Sequence, residues 1–195
     1  MGIDVVVEFV EPRKIAAVRR QVSIGAVGAA WRPALDQVWA FLRTQPGLRT
    51  DGHNVFLYHH PARRSEPMDV DFGVEVARTF IPSGEIHETS TPAGEAAMAV
   101  HRGGYDRLRA THDAIHQWAK SHDRTFAGFS WEIYGDPSDD PSKNETTVVY
   151  LLGRAWCSRQ NLSRPAVPVS FVTVVVRVFL VCIVRVTDAP DCFAA

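Results

Sequence analysis

The apolar residues of the first half of the chain recur with two periods, one typical of strands and one typical of helices. Short Val-rich runs at 3–10 and 15–22 predict two strands. The segment 32–43 is predicted as an amphipathic helix, and strands are predicted at 54–59 and 70–76. The helix has its apolar stripe at Leu35, Val38, Trp39 and Leu42. In the last strand apolar residues alternate with Asp69, Asp71, Gly73 and Glu75, which predicts one exposed face.

The second half of the chain has the same order of elements. We predict a strand at 96–101, a helix at 105–121, a strand at 129–134, a polar loop at 135–144 and a strand at 145–152. One side of this helix carries Leu108, Thr111, Ile115, Trp118 and Ala119. Each half therefore runs strand, helix, strand, strand.

The two halves also match residue by residue around one strand. When Pro61 is aligned with Pro137, Tyr58 matches Tyr134 and Glu132 replaces Phe56. This predicts an α+β fold of tandem, pseudo-symmetric repeats, at about 1–80 and 81–152. We expect the repeats to form two antiparallel sheets with helices and a central ligand cleft, because clefts between such halves are favoured ligand sites.

The segment 153–195 differs in character from this predicted domain of residues 1–152. It contains no Lys or Glu, and it holds the three cysteines, Cys157, Cys182 and Cys192. Three interpretations stay open: a membrane anchor in the apolar run 166–186, an added pair of strands, or the product of a reading-frame shift. Arg177, near the centre of the run, argues against the anchor, since an inserted arginine costs about 2.5–3.5 kcal/mol. A disordered tail is also compatible with this composition.

Charge and composition narrow the class of protein. The 195 residues carry 21 Lys and Arg against 22 Asp and Glu, for a net charge of -1, so no basic surface for nucleic acid is indicated. Asp4, Glu8 and Glu11 interrupt the N-terminal valines, and we therefore expect no secretory signal and a cytoplasmic location. The first predicted strand begins close to Met1, which leaves no room for a preceding helix-turn-helix.

Strand alternation assigns the candidate site residues to one face. It places Glu132 and Tyr134 together, with Trp131 and Ile133 on the opposite face. The match between the halves adds Phe56 and Tyr58 to the first group. This arrangement predicts an aromatic cage with one acid, although aromatic residues at such positions often serve only packing.

The second half carries motifs that identify a family. Gly103 to Leu108, the Gln117-Trp118 helix end, Trp131 to Tyr134 and the acidic, Pro-containing loop before Thr146 together resemble the GyrI-like effector-binding domains. That family includes the drug-sensing halves of AraC- and MerR-type bacterial activators and stand-alone gyrase-inhibitor-like proteins. The resemblance covers roughly residues 4–152.

The resemblance implies a stand-alone protein that binds bulky, aromatic and often cationic compounds without a cofactor, as in multidrug binding or toxin resistance. Glu132 would be the counter-charge, with Tyr134, Phe56, Tyr58 and Tyr105 as further ligand contacts. An alternative is hydrolysis of cyclopropane-bearing genotoxic natural products, with Glu132 and Tyr134 or Tyr58 as the catalytic candidates. A second alternative is binding to DNA gyrase.

Other site types have little support in the sequence. His112 and His116 stand four residues apart on a helix, a spacing that can hold a metal, but no third ligand is adjacent, so we predict no metal site. The acidic loop with Asp136, Asp139 and Asp140 could imitate phosphate charge on a gyrase partner, although such loops are usually soluble turns.

Overall fold

The computed structural model describes residues 2–23, 25–49, 52–63 and 65–153. Within this part of the chain lie eight β-strands and two α-helices. In chain order they are β1 (Val6–Val10), β2 (Lys14–Val22), α1 (Val27–Arg43), β3 (Asn54–His59), β4 (Met68–Glu75), β5 (Ile86–Ser90), β6 (Gly94–Arg102), α2 (Leu108–Ser121), β7 (Phe126–Tyr134) and β8 (Glu145–Leu152). The α+β class predicted from the sequence is confirmed.

The strands form one antiparallel sheet in the order β1-β6-β8-β7-β3-β4-β2-β5. The prediction of two separate sheets is therefore wrong. The two halves merge into one sheet at its centre, where β3 pairs with β7 and Phe56 stands opposite Glu132. Ladder hydrogen bonds across this pair satisfy two edges that separate sheets would leave open. The order strand, helix, strand, strand occurs twice, and the pseudo-symmetry of the two units stays a prediction.

The outermost strands come from unexpected parts of the sequence. β1 pairs with β6 of the second half, and β5 pairs with β2 of the first. The segment 86–90 was not predicted as a strand, because Ile86 is its one apolar residue. The available signal is the Pro82-Ser83-Gly84 turn that precedes it.

The sheet is strongly curved, and two short links show why. In a flat sheet β1 and β2 would lie about 29 Å apart, yet the link 11–13 spans at most about 14 Å. The link 91–93 joins β5 to β6 over the same separation, and the two links bond to each other: the Arg13 amide donates to Thr91 Oγ1 at 2.9 Å, and the Thr91 amide donates to the Arg13 carbonyl at 3.0 Å. The two edges of the sheet are therefore drawn together.

The curved sheet has an inner face and an outer face. The inner face encloses an apolar cluster of Ile15, Ala17, Val55, Leu57, Ala96, Trp131 and Val149. Crowding there is tight enough that a Cβ at Gly73 would lie 2.3 Å from Ile15 Cγ2. Both helices pack on the outer face, α1 against β2 and β4, and α2 against β6 and β8.

The helices match the predicted stripes but differ at one boundary. Leu35, Val38 and Leu42 of α1 are buried as expected. This helix begins at Val27 rather than at Arg32, so Pro33 lies inside it. Proline removes one intrahelical hydrogen bond, and burial of the apolar stripe against the sheet offsets that cost.

The three interpretations of the segment 153–195 concern residues that lie, apart from Gly153, outside the described part of the chain. Among the residues that are described, no helix has the length and apolar character needed to cross a membrane.

Candidate functional site

The candidate site lies on the outer face, over the two central strands. On this face α1 covers β2 and β4, and α2 covers β6 and β8, so the strands β3 and β7 lie between the two helices. Strand alternation turns Phe56 and Tyr58 of β3 and Glu132 and Tyr134 of β7 toward this space. The prediction that these four residues share one face is confirmed by the strand register. The structure also buries Glu132, with 5% of its surface exposed.

Glu132 is the polar centre of the group. Its Oε2 accepts a hydrogen bond from the Tyr58 hydroxyl at 2.8 Å and another from the Tyr134 hydroxyl at 2.5 Å. His112 Nε2 lies 3.0 Å from the other oxygen, Oε1. No Lys or Arg among the described residues bonds this carboxylate. Its partners are thus two neutral hydroxyls and one imidazole.

The surroundings of Glu132 keep both tyrosines protonated. Burial raises the pKa of the Tyr58 hydroxyl well above its ordinary value, and the negative charge of Glu132 raises it further. The same two causes, in the same order, raise the pKa of the Tyr134 hydroxyl. A phenol beside a buried carboxylate resists ionisation because two like charges would face each other without water. Both hydroxyls are therefore fixed as hydrogen-bond donors.

Aromatic rings form the walls around this acid. The Phe56 ring lies 4.8 Å from that of Tyr134 and 6.3 Å from that of Trp31, measured between centroids. Tyr105 packs edge-on against Tyr134 at 5.6 Å and is 49% exposed. Gly103, at φ 122°, makes the turn that leads into Tyr105, a conformation that favours glycine. Tyr105 therefore lies at the outer rim of the group, and its role as a ligand contact stays a prediction.

Further polar side chains extend the site beyond the predicted residues. The Tyr150 hydroxyl lies 3.0 Å from His112 Nδ1 and 3.2 Å from His116 Nε2. His60 stacks between the rings of Tyr58 and Tyr150, and its Nε2 lies 2.7 Å from Ser130 Oγ. Burial raises the pKa of Tyr150 to about 12, with a further contribution from the charge of Glu132.

Sequence reasoning missed this extension because it depends on α2 lying over β8. His112 follows Leu108 by four residues and so shares its inward side, which is the available signal. His60 and His116 are exposed residues. The ring of His60 is nevertheless partly desolvated, and this, together with the charges of His116 and His112, lowers its pKa. This end of the site therefore faces solvent.

The other predicted features have structural explanations. His112 and His116 do share one helix face, and both contact Tyr150. Among the described residues, no three or more His, Cys, Asp or Glu side chains are arranged so that they could hold a metal ion. In the acidic loop, Asp140 accepts a hydrogen bond from the Ser142 amide at 3.0 Å and begins a short 3-10 turn at Pro141–Lys143. Trp39 is partly buried on α1 and donates to Asn54 Oδ1 at 3.2 Å.

A second buried carboxylate lies on the inner face of the sheet. Asp71 has no exposed surface, which corrects the prediction that this side of β4 faces solvent. Arg19 donates to both of its oxygens at 2.9 and 2.7 Å, while His59 and His87 lie at 2.8 and 3.1 Å. Burial alone would raise the pKa of Asp71, but hydrogen bonds from His59 and Arg19 outweigh it and hold the pKa far below its usual value.

Comparison with known families agrees with this geometry. The model of the GyrI-like small molecule binding domain matches residues 3–152, which include both helices and all eight strands. The chain belongs to this family. The family description supports a small-molecule-binding domain, and the aromatic and acidic group lies within the matched residues. No curated protein matches the chain.

Solved structures share the fold at low sequence identity. The EcmrR C-terminal domain is 22% identical with a TM-score of 0.64, and the match covers 78% of this chain and 99% of that domain. In a complex of EcmrR with DNA, the matched part is 57% of the longer EcmrR chain. SAV2435 bound to tetraphenylphosphonium is 10% identical, with a TM-score of 0.60 and coverage of 77% and 94%. A hydrolase from Listeria innocua is 13% identical, with a TM-score of 0.54 and coverage of 77% and 92%.

Proposed function

We propose that this GyrI-like domain is a receptor for bulky aromatic cations, of the multidrug-binding kind, with Glu132 as the counter-charge. The observation that carries the proposal is a buried carboxylate whose neighbours are aromatic rings and whose hydrogen bonds come from neutral hydroxyls and one imidazole. Such a carboxylate keeps its charge available to a ligand. The likeness in fold to SAV2435, which is described with tetraphenylphosphonium, supports the same class of ligand.

The walls of the site fit this ligand class. Buried Phe56 and half-buried Tyr134 line the site with rings, and Tyr105 is the exposed residue at the rim. A delocalised cation between such rings gains about 1–2 kcal/mol from cation–π contact when it is desolvated. The Coulomb attraction to Glu132 adds an amount of similar size at the effective dielectric of a partly buried site. Entry of a ligand would require Tyr105 to swing away from Tyr134.

The test is a binding titration of the full chain with rhodamine 6G, a flat aromatic cation, followed by fluorescence anisotropy. We expect micromolar affinity, and about tenfold weaker binding in Glu132→Gln, which corresponds to about 1.4 kcal/mol. Glu66→Gln is the matched control, because Glu66 is exposed and forms its ion pair with Arg63, outside the group around Glu132. Absence of binding, or equal weakening in both variants, would refute the proposal.

A second candidate function is hydrolysis of strained cyclopropane rings in genotoxic compounds. The observation that favours it is the pair of hydroxyls, from Tyr58 and Tyr134, on the same oxygen of Glu132. The carboxylate could take a proton from water as the water oxygen bonds a ring carbon. The ring C–C bond then breaks and its electron pair moves into a conjugated carbonyl. A tyrosine hydroxyl protonates the resulting enolate, and protonated Glu132 returns its proton to that tyrosine across their hydrogen bond.

Turnover separates this candidate from binding alone. Incubation with a compound that carries a cyclopropane conjugated to a carbonyl should add the mass of one water molecule, and mass spectrometry detects it. Loss of turnover in Glu132→Gln with the compound still bound would support catalysis. If the wild type binds the compound but adds no water to it, the hydrolase candidate is excluded and the receptor function remains.

A further inference from the structure

A cavity of about 720 Å³ opens on the inner face of the sheet, at the end where the β1–β2 link crosses it. Half-buried Met98 and Ile133 form its floor, with Trp131 and Val149 buried beneath them. The segment 8–13 forms one wall. This volume lies within the range of about 300–1,000 Å³ that is typical of small-molecule sites.

The cavity is separate from the site around Glu132. Successive residues of a strand point to opposite faces, so Trp131 and Ile133 lie inside the curved sheet while Glu132 and Tyr134 lie outside it. The backbone of β7 stands between the two. A ligand in this cavity therefore cannot contact the carboxylate of Glu132, and any binding here is independent of the proposed receptor function.

The rim of the cavity carries an excess of negative charge. Four glutamates line it, and two are paired: Glu75 with Arg13 at 2.9 Å and Glu145 with Arg102 at 2.8 Å. Glu8 and Glu11 form no ion pair with any residue that the structure describes. Both belong to the wall at 8–13. An apolar floor beneath an unbalanced acidic wall is complementary to an amphipathic cation.

We propose that this cavity is a second binding site, which takes a small amphipathic cation with its apolar body on Met98 and Ile133 and its charged group toward Glu8 and Glu11. The apolar contact supplies most of the affinity, because exposed carboxylates in water attract a cation only weakly. The two glutamates select the sign of the ligand's charge.

Met98 offers a direct readout. The chain has three methionines, Met1, Met68 and Met98, and Met68 packs in the core cluster on the other face of the sheet. The full chain, labelled with ¹³C at the methionine methyl groups, is titrated with benzyltriethylammonium and followed by NMR. We expect the Met98 methyl signal to shift saturably while the Met68 signal stays in place.

Three variants decide the outcome. Neutralising the wall in Glu8→Gln/Glu11→Gln should weaken binding about threefold to tenfold, whereas the exposed control pair Asp36→Asn/Glu66→Gln should leave it unchanged. Glu132→Gln should also leave the Met98 titration unchanged. The proposal is wrong if the Met98 signal does not move, if the wall variant binds as tightly as the wild type, or if Glu132→Gln abolishes the shift. Failure of rhodamine binding at Glu132 would leave the Met98 result intact, so the two proposals fail separately.

Discussion

Among the residues that the structure describes, two carboxylates are buried, on opposite faces of one sheet, and their surroundings differ. Asp71 on the inner face is held by the guanidinium of Arg19 and by His59 and His87. Glu132 on the outer face is held by two tyrosine hydroxyls and by His112. Both side chains are almost completely withdrawn from water. The partners, rather than the degree of burial, distinguish the two acids.

The difference shows what a buried charge can be used for. A carboxylate paired with a permanent cation in bidentate geometry has little attraction left for another ion. A carboxylate that accepts hydrogen bonds from neutral hydroxyls keeps most of its charge, and its field still reaches the neighbouring tyrosines, whose pKa values it raises. This argument assigns Asp71 to the stability of the curved sheet, and it is the reason why the proposed ligand role falls to Glu132 rather than to Asp71.

The largest effect should come from breaking the inner group. We expect Asp71→Asn to lower the free energy of unfolding by about 2 kcal/mol, because the hydrogen bonds to the charged carboxylate are lost while its partners, which are partly exposed, can be hydrated. Chemical denaturation measures this change. Asp69→Asn, on the same strand and face, is the control and should cost less than about 0.5 kcal/mol. Equal effects of the two variants would show that the ion group does not hold the sheet.

The stability that Asp71 contributes should depend on pH in a predictable direction. Because the pKa of Asp71 is lowered in the folded state, its contribution is present above the pKa of an unfolded aspartate, about 4, and is lost as the pH falls through the folded value. The stability difference between the wild type and Asp71→Asn should therefore shrink below about pH 4. A difference that grows in acid would contradict this assignment.

The outer group should show the opposite dependence on pH. The pKa of Tyr134 is raised by burial and by Glu132, so its contribution is complete below about pH 10 and is lost as the pH rises toward the folded value. For each tyrosine with a raised pKa, the free energy of unfolding should fall by up to about 1.4 kcal/mol per pH unit above about pH 10.

Tyr134→Phe tests this dependence. The variant should lose about 1 kcal/mol at neutral pH, for the missing hydrogen bond, and should then fall less steeply than the wild type between pH 10 and 11. Denaturation midpoints measured from pH 8 to 11 supply both numbers, and Tyr105→Phe, at the exposed rim, is the control. Parallel curves for the wild type and Tyr134→Phe would show that Tyr134 does not sense the buried carboxylate.

The local patterns in the sequence predict the outer face well. Alternation along a strand depends only on neighbouring residues, so the placement of Phe56, Tyr58, Glu132 and Tyr134 on one face follows without tertiary information. The long helical stripes of α1 and α2 are local in the same sense, and their buried residues agree with the prediction.

The remaining features depend on contacts between distant segments. The β3–β7 pairing that merges the predicted sheets, the burial of Asp71 and the approach of His112 to Glu132 each require a register or a packing angle that no local pattern encodes. Arg19 and Asp71 are far apart in sequence, and neither is apolar, so hydrophobic periodicity could indicate neither their ion pair nor the burial of Asp71. Sequence reasoning therefore placed Glu132 correctly on the aromatic face and missed the burial of Asp71.

The smallest effect is expected from a change at His112. This residue is the one partner of Glu132 that can become cationic. His112 lies 3.0 Å from Oε1, and an imidazolium there would compete with a cationic ligand for the same charge. We expect His112→Gln, which keeps a neutral N–H donor, to bind rhodamine 6G about twofold to threefold more tightly at pH 7, by anisotropy titration. His122→Gln, at the exposed end of α2, is the control and should bind as the wild type does. Weaker binding in His112→Gln would mean that the imidazole positions Glu132 or contacts the ligand, and the outer carboxylate would then depend on a nitrogen partner much as Asp71 does.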